Sequence, residues 1–428
     1  MISVILGSQW GDEAKGKLTD MYAENADLVV RFQGGNNAGH TIVVGDETFK
    51  LRLLPSGIVQ GKDVVLGNGM VIDPEVLHEE ITELRSRNID FGNIYISERA
   101  HVIMPYHKQE DVILEDLKGK LKAGTTKRGI GPCYSDKVSR IGIRFTDLID
   151  QATFLEKLDT AYSIKERFFK SLGYDMEVSK DEIIKAYTRY ASMFGMYVTD
   201  TPSLINKAND AGKHILFEGA QGTHLDIDFG IYPHNTSSNT VCGGACTGAG
   251  VPPRSINRVL GVVKAYTTRV GTGPVPTELT DAYGKHLAKQ GHEFGTVTGR
   301  PRRCGWLDLM LIKYAHMLNH FDGIFITKLD VLCGLDKVKV CTGYEVDGTV
   351  MDHFPANMDV LARCTPVYRE FDGWDFACDE VLEKGYDSLP ANAKSYLKFI
   401  ESELRIPLYG VSVGPRRHET FTFKDIFR

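Results

Sequence analysis

The chain has 428 residues, 42% of them hydrophobic and 25% charged, with a formal net charge of −6 at pH 7. That length holds one large domain or two to three smaller ones, and the apolar content suffices for a sizeable core. The negative balance argues against a nucleic-acid or anionic-membrane binder but leaves room for a local basic pocket.

The eight cysteines are scattered, and the nearest pair, Cys242 and Cys246, has no second pair or histidine cluster to complete a zinc site. Scattered thiols in a large chain read as reduced, so the expected location is the cytoplasm. The first strand begins at Ile2, which leaves no room for a signal peptide, and no apolar run reaches the length of a membrane span.

In chain order, residues 2–6 (ISVIL) read as one buried parallel strand. Residues 7–17 (GSQWGDEAKGK) form a polar, glycine-punctuated loop, followed by a helical pattern from about Lys17 to Glu24. Strand, glycine-rich loop and helix aim backbone N–H groups and a helix N-terminus at a phosphate. Residues 11–17 also fit G-x4-G-K, but Leu18 stands where a standard phosphate loop carries the Ser or Thr that binds Mg²⁺. Either the match is accidental or another residue holds the metal, and Asp12 is the candidate inside the loop.

Residues 27–32 (DLVVRF) read as a second buried strand, ending in 33–41 (QGGNNAGHT), a loop with close-approach glycines, two amides and His40. A loop histidine is commonly just solvated. Two consecutive strands ending in such loops nevertheless suggest a site at the carboxyl edge of a parallel sheet, with Asp12 and His40 facing each other as base and acid.

Further along, residues 64–66 read as a strand, Asp73-Pro74 opens an amphipathic helix to about Arg87, and 93–96 is another short strand. Helical spacing runs from His107 to Leu121. Residues 124–132 (GTTKRGIGP) are too rich in glycine for a helix and too basic for a core, so they are either a surface loop or a phosphate clamp. Long helical patterns fill residues 156–211. Residues 215–217 restore the strand pattern, while 236–240 and 243–250 look like loops.

Arg300, Arg302 and Arg303 crowd three guanidiniums into four residues, which suits bidentate carboxylates or phosphates. Residues 323–326 form a strand before Thr327-Lys328-Leu329-Asp330. A carboxylate there can accept both N1–H and N2–H of guanine, a pair adenine lacks, so TKLD favours GTP over ATP. Residues 406–411 are a last strand, leading into Ser412-Val413-Gly414. No repeat, linker or low-complexity segment separates the halves, so one domain over residues 1–428 is expected, with helical excursions at about 100–210.

QWGDEAKGK followed by QGGNNAGHT resembles adenylosuccinate synthetase, and the likeness continues in order through nearly the whole chain. It recurs in LPSGI (54–58), GNGMVID (67–73), TTKRGIGP (125–132), EGAQGTHLDID (218–228), TSSNT (236–240), KAYTTRVGTGPVPTE (264–278), TGRPRRCGWLD (298–308) and TKLDVL (327–332). The resemblance implies an α/β fold, a large mostly parallel central sheet flanked by helices, akin to P-loop NTPases with a variant phosphate loop. It implies a homodimeric, Mg²⁺-using ligase of AMP biosynthesis that joins L-aspartate to IMP with GTP through 6-phosphoryl-IMP.

By matching motif, the resemblance makes Asp12 the base at N1 of IMP and, with the carbonyl of Gly39, the metal site. His40 serves the phosphoryl oxygens, and Lys15 and Gln221 join them in catalysis. GTP falls to Gly11, Asp12, Glu13, Ala14, Lys15, Gly16, Lys17, Gly39, His40, Thr41 and Arg302 at the phosphates. Its guanine falls to Lys328, Leu329, Asp330, Ser412, Val413 and Gly414. IMP falls to Asp12, Lys15, Asn37, Gly39, His40, Thr126, Gln221, Thr236 and Arg300, with Arg140 reaching across the subunit interface. Aspartate falls to Thr296, Val297, Thr298, Gly299, Arg300 and Arg302. The chain departs from the family pattern at Ala14, Lys127, Val297 and Val413. Because Ala rather than Gly stands at 14, an ordinary backbone conformation is expected there. The alternatives are a relative that adds aspartate to a 2-aminopurine nucleotide such as dGMP, and a GTP-binding switch; Asp12 in its motif speaks against the first and the arginine cluster against the second.

Overall fold

The computed structural model describes residues 1–44, 47–119, 122, 124–295 and 299–428. Ten strands build the central sheet: β1 Ile2–Gly7, β2 Leu28–Arg31, β3 Asp63–Leu66, β4 Ile94–Ser97, β5 Val198–Thr199, β6 Ile215–Glu218, β7 Ile256–Lys264, β8 Gly323–Thr327, β9 Leu408–Ser412 and β10 Thr420–Thr422. Their spatial order is β10-β9-β8-β7-β1-β6-β2-β3-β4-β5. Every neighbouring pair is parallel except β9 with β10. The mostly parallel central sheet expected from the sequence is therefore the observed one.

β1 lies at the centre, and its two-residue alternation feeds two cores. Ile2, Val4 and Leu6 join Phe217, Val263 and Trp306 on one face, and Ile5 joins Leu18, Val29, Val64 and Leu216 on the other. Burial on both faces is what makes such a strand continuously apolar, and each aliphatic side chain so buried contributes about 1.5–3 kcal/mol. Because the strands run parallel, the loops after β1, β2, β6, β7, β8 and β9 all leave from the same edge.

Several local expectations need correction. Helix α1 spans Lys15–Ala23, beginning two residues earlier than the sequence suggested. Helix α2 spans Pro105–Leu117, opened by Pro105 and by the Met104 N–H donating to His107 Nδ1 at 2.9 Å, and helix α3, Ile130–Ser139, takes in the end of the glycine-rich 124–132 stretch. Pro132 sits in its first turn, where the missing N–H costs nothing. Residues expected to be a loop form helix α4, Cys242–Ala249. Its glycines serve close approach rather than freedom: a Cβ on Gly248 would lie 2.1 Å from the Phe32 carbonyl oxygen, and the Gly248 carbonyl accepts from Gly69 N–H at 2.8 Å. A second sheet of Leu307–Asp308, Lys337–Val346, Thr349–Met351 and Thr365–Asp372 was not anticipated.

Candidate active site

The loop between β1 and α1 is closed on itself. Glu13, almost fully buried, accepts the N–H groups of Gln9 and Gly11 on Oε1, both at 2.9 Å. Its Oε2 takes Lys15 Nζ at 2.7 Å, and the same ammonium reaches the Gly11 carbonyl at 3.1 Å. An anion thus already lies on backbone donors at this strand–helix junction, the arrangement that phosphates exploit. Ala14 overturns the expectation of an ordinary backbone: its φ of 63° and ψ of 38° are left-handed, because the chain must reverse between the loop and the first turn of α1. Lys127 shares that conformation, with φ of 58°.

Lys17 turns away from the loop. Its buried ammonium donates to Ser412 Oγ at 2.6 Å and to the carbonyls of Gly414 and Glu419 at 2.7 and 3.1 Å. Burial lowers its pKa to about 8. It therefore fastens the phosphate-type loop to the turn after β9, two segments the sequence analysis assigned to opposite ends of one nucleotide.

Asp12 lies beside Arg302, with Oδ1 at 3.1 Å from Nε. Its Oδ2 is buried and finds no hydrogen-bond partner among the described residues. Burial pushes the carboxyl pKa up, and the Arg302 guanidinium only partly opposes it. Asp330, at the end of β8, is the same kind of group: Oδ1 is buried and unpartnered, and burial raises its pKa. A buried carboxylate oxygen left without a donor, one on each of these residues among the described residues, is expensive unless a ligand completes it.

His40 is not held by Asp12. Its Nδ1 meets Glu218 Oε1, and Glu218 also accepts Ser56 N–H at 2.7 Å and Ser56 Oγ–H at 2.6 Å. Burial pulls the His40 pKa down while Glu218 opposes it. Burial also works against the Glu218 charge, but His40 and Arg31 outweigh it and hold the carboxyl below its usual range. A carboxylate on Nδ1 sets the ring's orientation and tautomer, leaving Nε2 to act.

Several expected nucleotide contacts assemble beyond β2 and β6. Asn37 Nδ2 donates to Thr236 Oγ1 at 3.2 Å, and Gln33 Nε2 donates to the carbonyl of Ala220 at 2.8 Å. Gln221, left-handed at φ 57°, keeps a buried Nε2 without a partner among the described residues. The glycine beside it presses on the first loop, since a Cβ on Gly222 would meet Gln9 O and Gly11 N at 2.5 Å.

The basic loop leans on α2. Thr125 Oγ1 donates to Asp111 at 2.8 Å, Gly129 N–H donates to Asp111 at 3.0 Å, and Gly124 N–H donates to Glu115 at 2.6 Å. Arg300 Nη2 reaches the Gly124 carbonyl at 2.9 Å, so the arginine cluster and this loop meet. Arg140 is exposed at the left-handed end of α3. Thr296, Val297 and Thr298 lie outside the described residues.

Residue-by-residue reading missed Glu218 and the buried group around Glu293. Lys264, which ends β7, burial-depressed to a pKa of about 8, was quoted only within a motif. A charged residue closing the apolar run 259–263 was the available signal.

Comparison with known proteins shows the family. The family model described as adenylosuccinate synthetase matches residues 4–421. The adenylosuccinate synthetases of Carboxydothermus hydrogenoformans and Clostridium novyi are 52% and 51% identical, each over 99% of both chains. A fully ligated adenylosuccinate synthetase from Plasmodium falciparum superposes with a TM-score of 0.92 at 40% identity, covering 99% of each chain. A cyanophage S-2L succinoaminodeoxyadenylate synthetase bound to dGMP and dATP shares the fold alone, with a TM-score of 0.58 at 21% identity over 98% of this chain and 95% of that one. A match over nearly the full length, on a chain whose motif loops meet at one sheet edge, leads to one conclusion: the chain belongs to the adenylosuccinate synthetase family.

Proposed function

We propose that the chain performs its family's reaction, GTP-dependent joining of L-aspartate to IMP to give adenylosuccinate, GDP and phosphate, as a single domain over residues 1–428. The reading is carried by Asp12, a half-buried carboxylate in a phosphate-type loop, one of whose oxygens is buried with no partner among the described residues while the other meets an arginine of the Arg300–Arg303 cluster. The lactam oxygen on C6 of IMP is a poor leaving group. Asp12 takes the N1 proton, so O6 becomes the acceptor of the γ-phosphoryl group and GDP departs. The aspartate amine then attacks C6, phosphate leaves with O6, and the amine loses its proton.

His40, oriented by Glu218, donates to the phosphoryl oxygens as charge shifts; assistance of this kind is typically worth roughly 10²–10⁴ in rate. Lys15 moves from Glu13 to the phosphates, and Gln221 donates to the purine nucleotide through Nε2, which has no partner among the described residues. Asp330, whose buried Oδ1 has no partner among the described residues, accepts the N1–H and N2–H of guanine, with Lys328 beside the base. Asn37, Thr126, Thr236 and Arg300 hold IMP, and Arg300 and Arg302 with residues 296–299 receive the aspartate carboxylates.

Mg²⁺ would be held by the Asp12 oxygen that has no partner among the described residues, joined by the Gly39 carbonyl that the family resemblance assigns. Among the described residues no cluster of His, Cys, Asp or Glu builds a larger metal cage, which suits an ion that keeps waters and phosphate oxygens as ligands. When bound it would offset charge on the transferring phosphoryl group. Exposed Arg140 acts across a homodimer interface on the IMP phosphate. The compartment is the cytoplasm, where the eight free thiols persist reduced.

The test is one mixture of protein, Mg²⁺, GTP, IMP and aspartate. Adenylosuccinate formed only when all are present supports the reading. Phosphate release without need of aspartate would mark a switch, and a preference for dGMP over IMP would mark the 2-aminopurine relative.

A further inference from the structure

Between the arginine cluster and the TKLD segment sits a carboxylate that no motif assignment has used. Glu293 is fully buried. Its Oε1 accepts Lys328 Nζ at 2.7 Å and Lys264 Nζ at 3.1 Å, and touches the Tyr266 hydroxyl. Its Oε2 accepts Arg302 Nη1 at 2.7 Å. One side chain thus joins the ends of β7 and β8 to the loop that carries Arg302.

The backbone repeats the connection. Arg302 N–H donates to the Glu293 carbonyl at 2.9 Å, Gly295 N–H donates to Arg300 O at 2.8 Å, and Phe294 bridges Pro301. Glu293 and Arg302 therefore stand opposite each other at a neck formed by residues 293–295 and 300–302. Lys328 is held a second time by the Gly291 carbonyl, at 2.8 Å, just before the same neck. Three cations converge here, and Glu293 contacts all of them, while Asp12 meets Arg302 alone among the three. Once Asp12 engages substrate, Glu293 is the carboxylate that still orients Arg302.

We propose that Glu293 is the positioning residue that couples the two ends of the site, holding Arg302 at the aspartate end and Lys328 at the guanine end from one buried carboxylate. This rests on the functional reading of Arg302 and Lys328 given above. Glu293 touches no substrate; it acts by fixing long cationic side chains that otherwise sample many rotamers.

The test uses E293Q and the double variant E293Q/K264M in the full-length protein, with KM measured separately for aspartate, GTP and IMP. E293Q should raise KM for both aspartate and GTP by roughly tenfold to hundredfold, with KM for IMP within about threefold of the parent. Lys264→Met removes the cation left uncompensated, so the double variant should regain the parental melting temperature yet keep both KM defects. If E293Q alone does not fold, the double variant carries the same comparison. Parental activity with unchanged aspartate and GTP KM values in either variant would overturn the assignment, as would a double variant in which KM recovers along with melting temperature. A parental protein that forms no adenylosuccinate would overturn the functional reading, and the assignment with it.

Discussion

Glu218→Gln isolates the charge behind His40 from its shape. In the native structure one carboxylate oxygen takes Ser56 N–H at 2.7 Å, and the other takes Ser56 Oγ–H at 2.6 Å and meets His40 Nδ1. Glutamine keeps one acceptor for the Ser56 backbone but presents an amide N–H₂ to the imidazole. A donor facing Nδ1 forces the ring to accept there and moves its proton to the other nitrogen. Turning the carboxylate behind a catalytic imidazole into an amide has cost about 10⁴ in kcat in a serine protease, and general acid–base assistance spans roughly 10²–10⁴. A fall in kcat of that range, about 2.7–5.5 kcal/mol in barrier, is expected. Stability should change less, because a lost charge-assisted bond, roughly 1.5–3 kcal/mol, is offset by no longer desolvating a buried charge. The assay is steady-state adenylosuccinate formation with GTP and IMP binding measured calorimetrically. Unchanged kcat, or a defect confined to KM with weakened binding, would refute a positioning carboxylate behind His40.

Ala14→Gly should stabilise the unliganded protein by about 0.5–1 kcal/mol in urea unfolding, since relief of a left-handed alanine (~1–2 kcal/mol) exceeds the added chain entropy (~0.5–1 kcal/mol). Glu293 makes stability sensitive to acid: burial opposes its charge, but Lys264, Lys328 and Arg302 outweigh that and hold its carboxyl far below the usual range. Its contribution is complete above the unfolded carboxyl range, near 4.5, and is lost as pH falls below it, so the urea midpoint should drop between pH 5 and 3 less steeply in Glu293→Gln than in the parent. Arg140→Leu and Asp12→Asn proteins should each be inactive, yet an equal mixture should regain up to about one quarter of parental activity if each site uses both subunits; no recovery after subunit exchange would place Arg140 within its own subunit's site or outside any.

Much of this protein was legible in its residues before any fold was known. Residues 2–6, 27–32, 215–217 and 323–326 announced buried parallel strands because both faces of such strands must be apolar, and the motif loops named Asp12, His40, Arg302 and Asp330. Pattern misjudged residues 243–250, where glycine-rich sequence packs as a helix, because a close backbone contact such as Gly248 against Phe32 is invisible in one dimension. It misjudged Ala14 for the same reason: only the turn from β1 into α1 demands a left-handed residue there. Tertiary structure alone decided that Glu13 lies on the loop's own N–H groups, that Lys17 ties to Ser412, 395 residues away, and that Glu293 joins Arg302 to Lys328. Local sequence specifies how a segment pairs with its period and its caps. Which buried charges meet depends on where distant strand ends converge, and that is a property of the folded sheet.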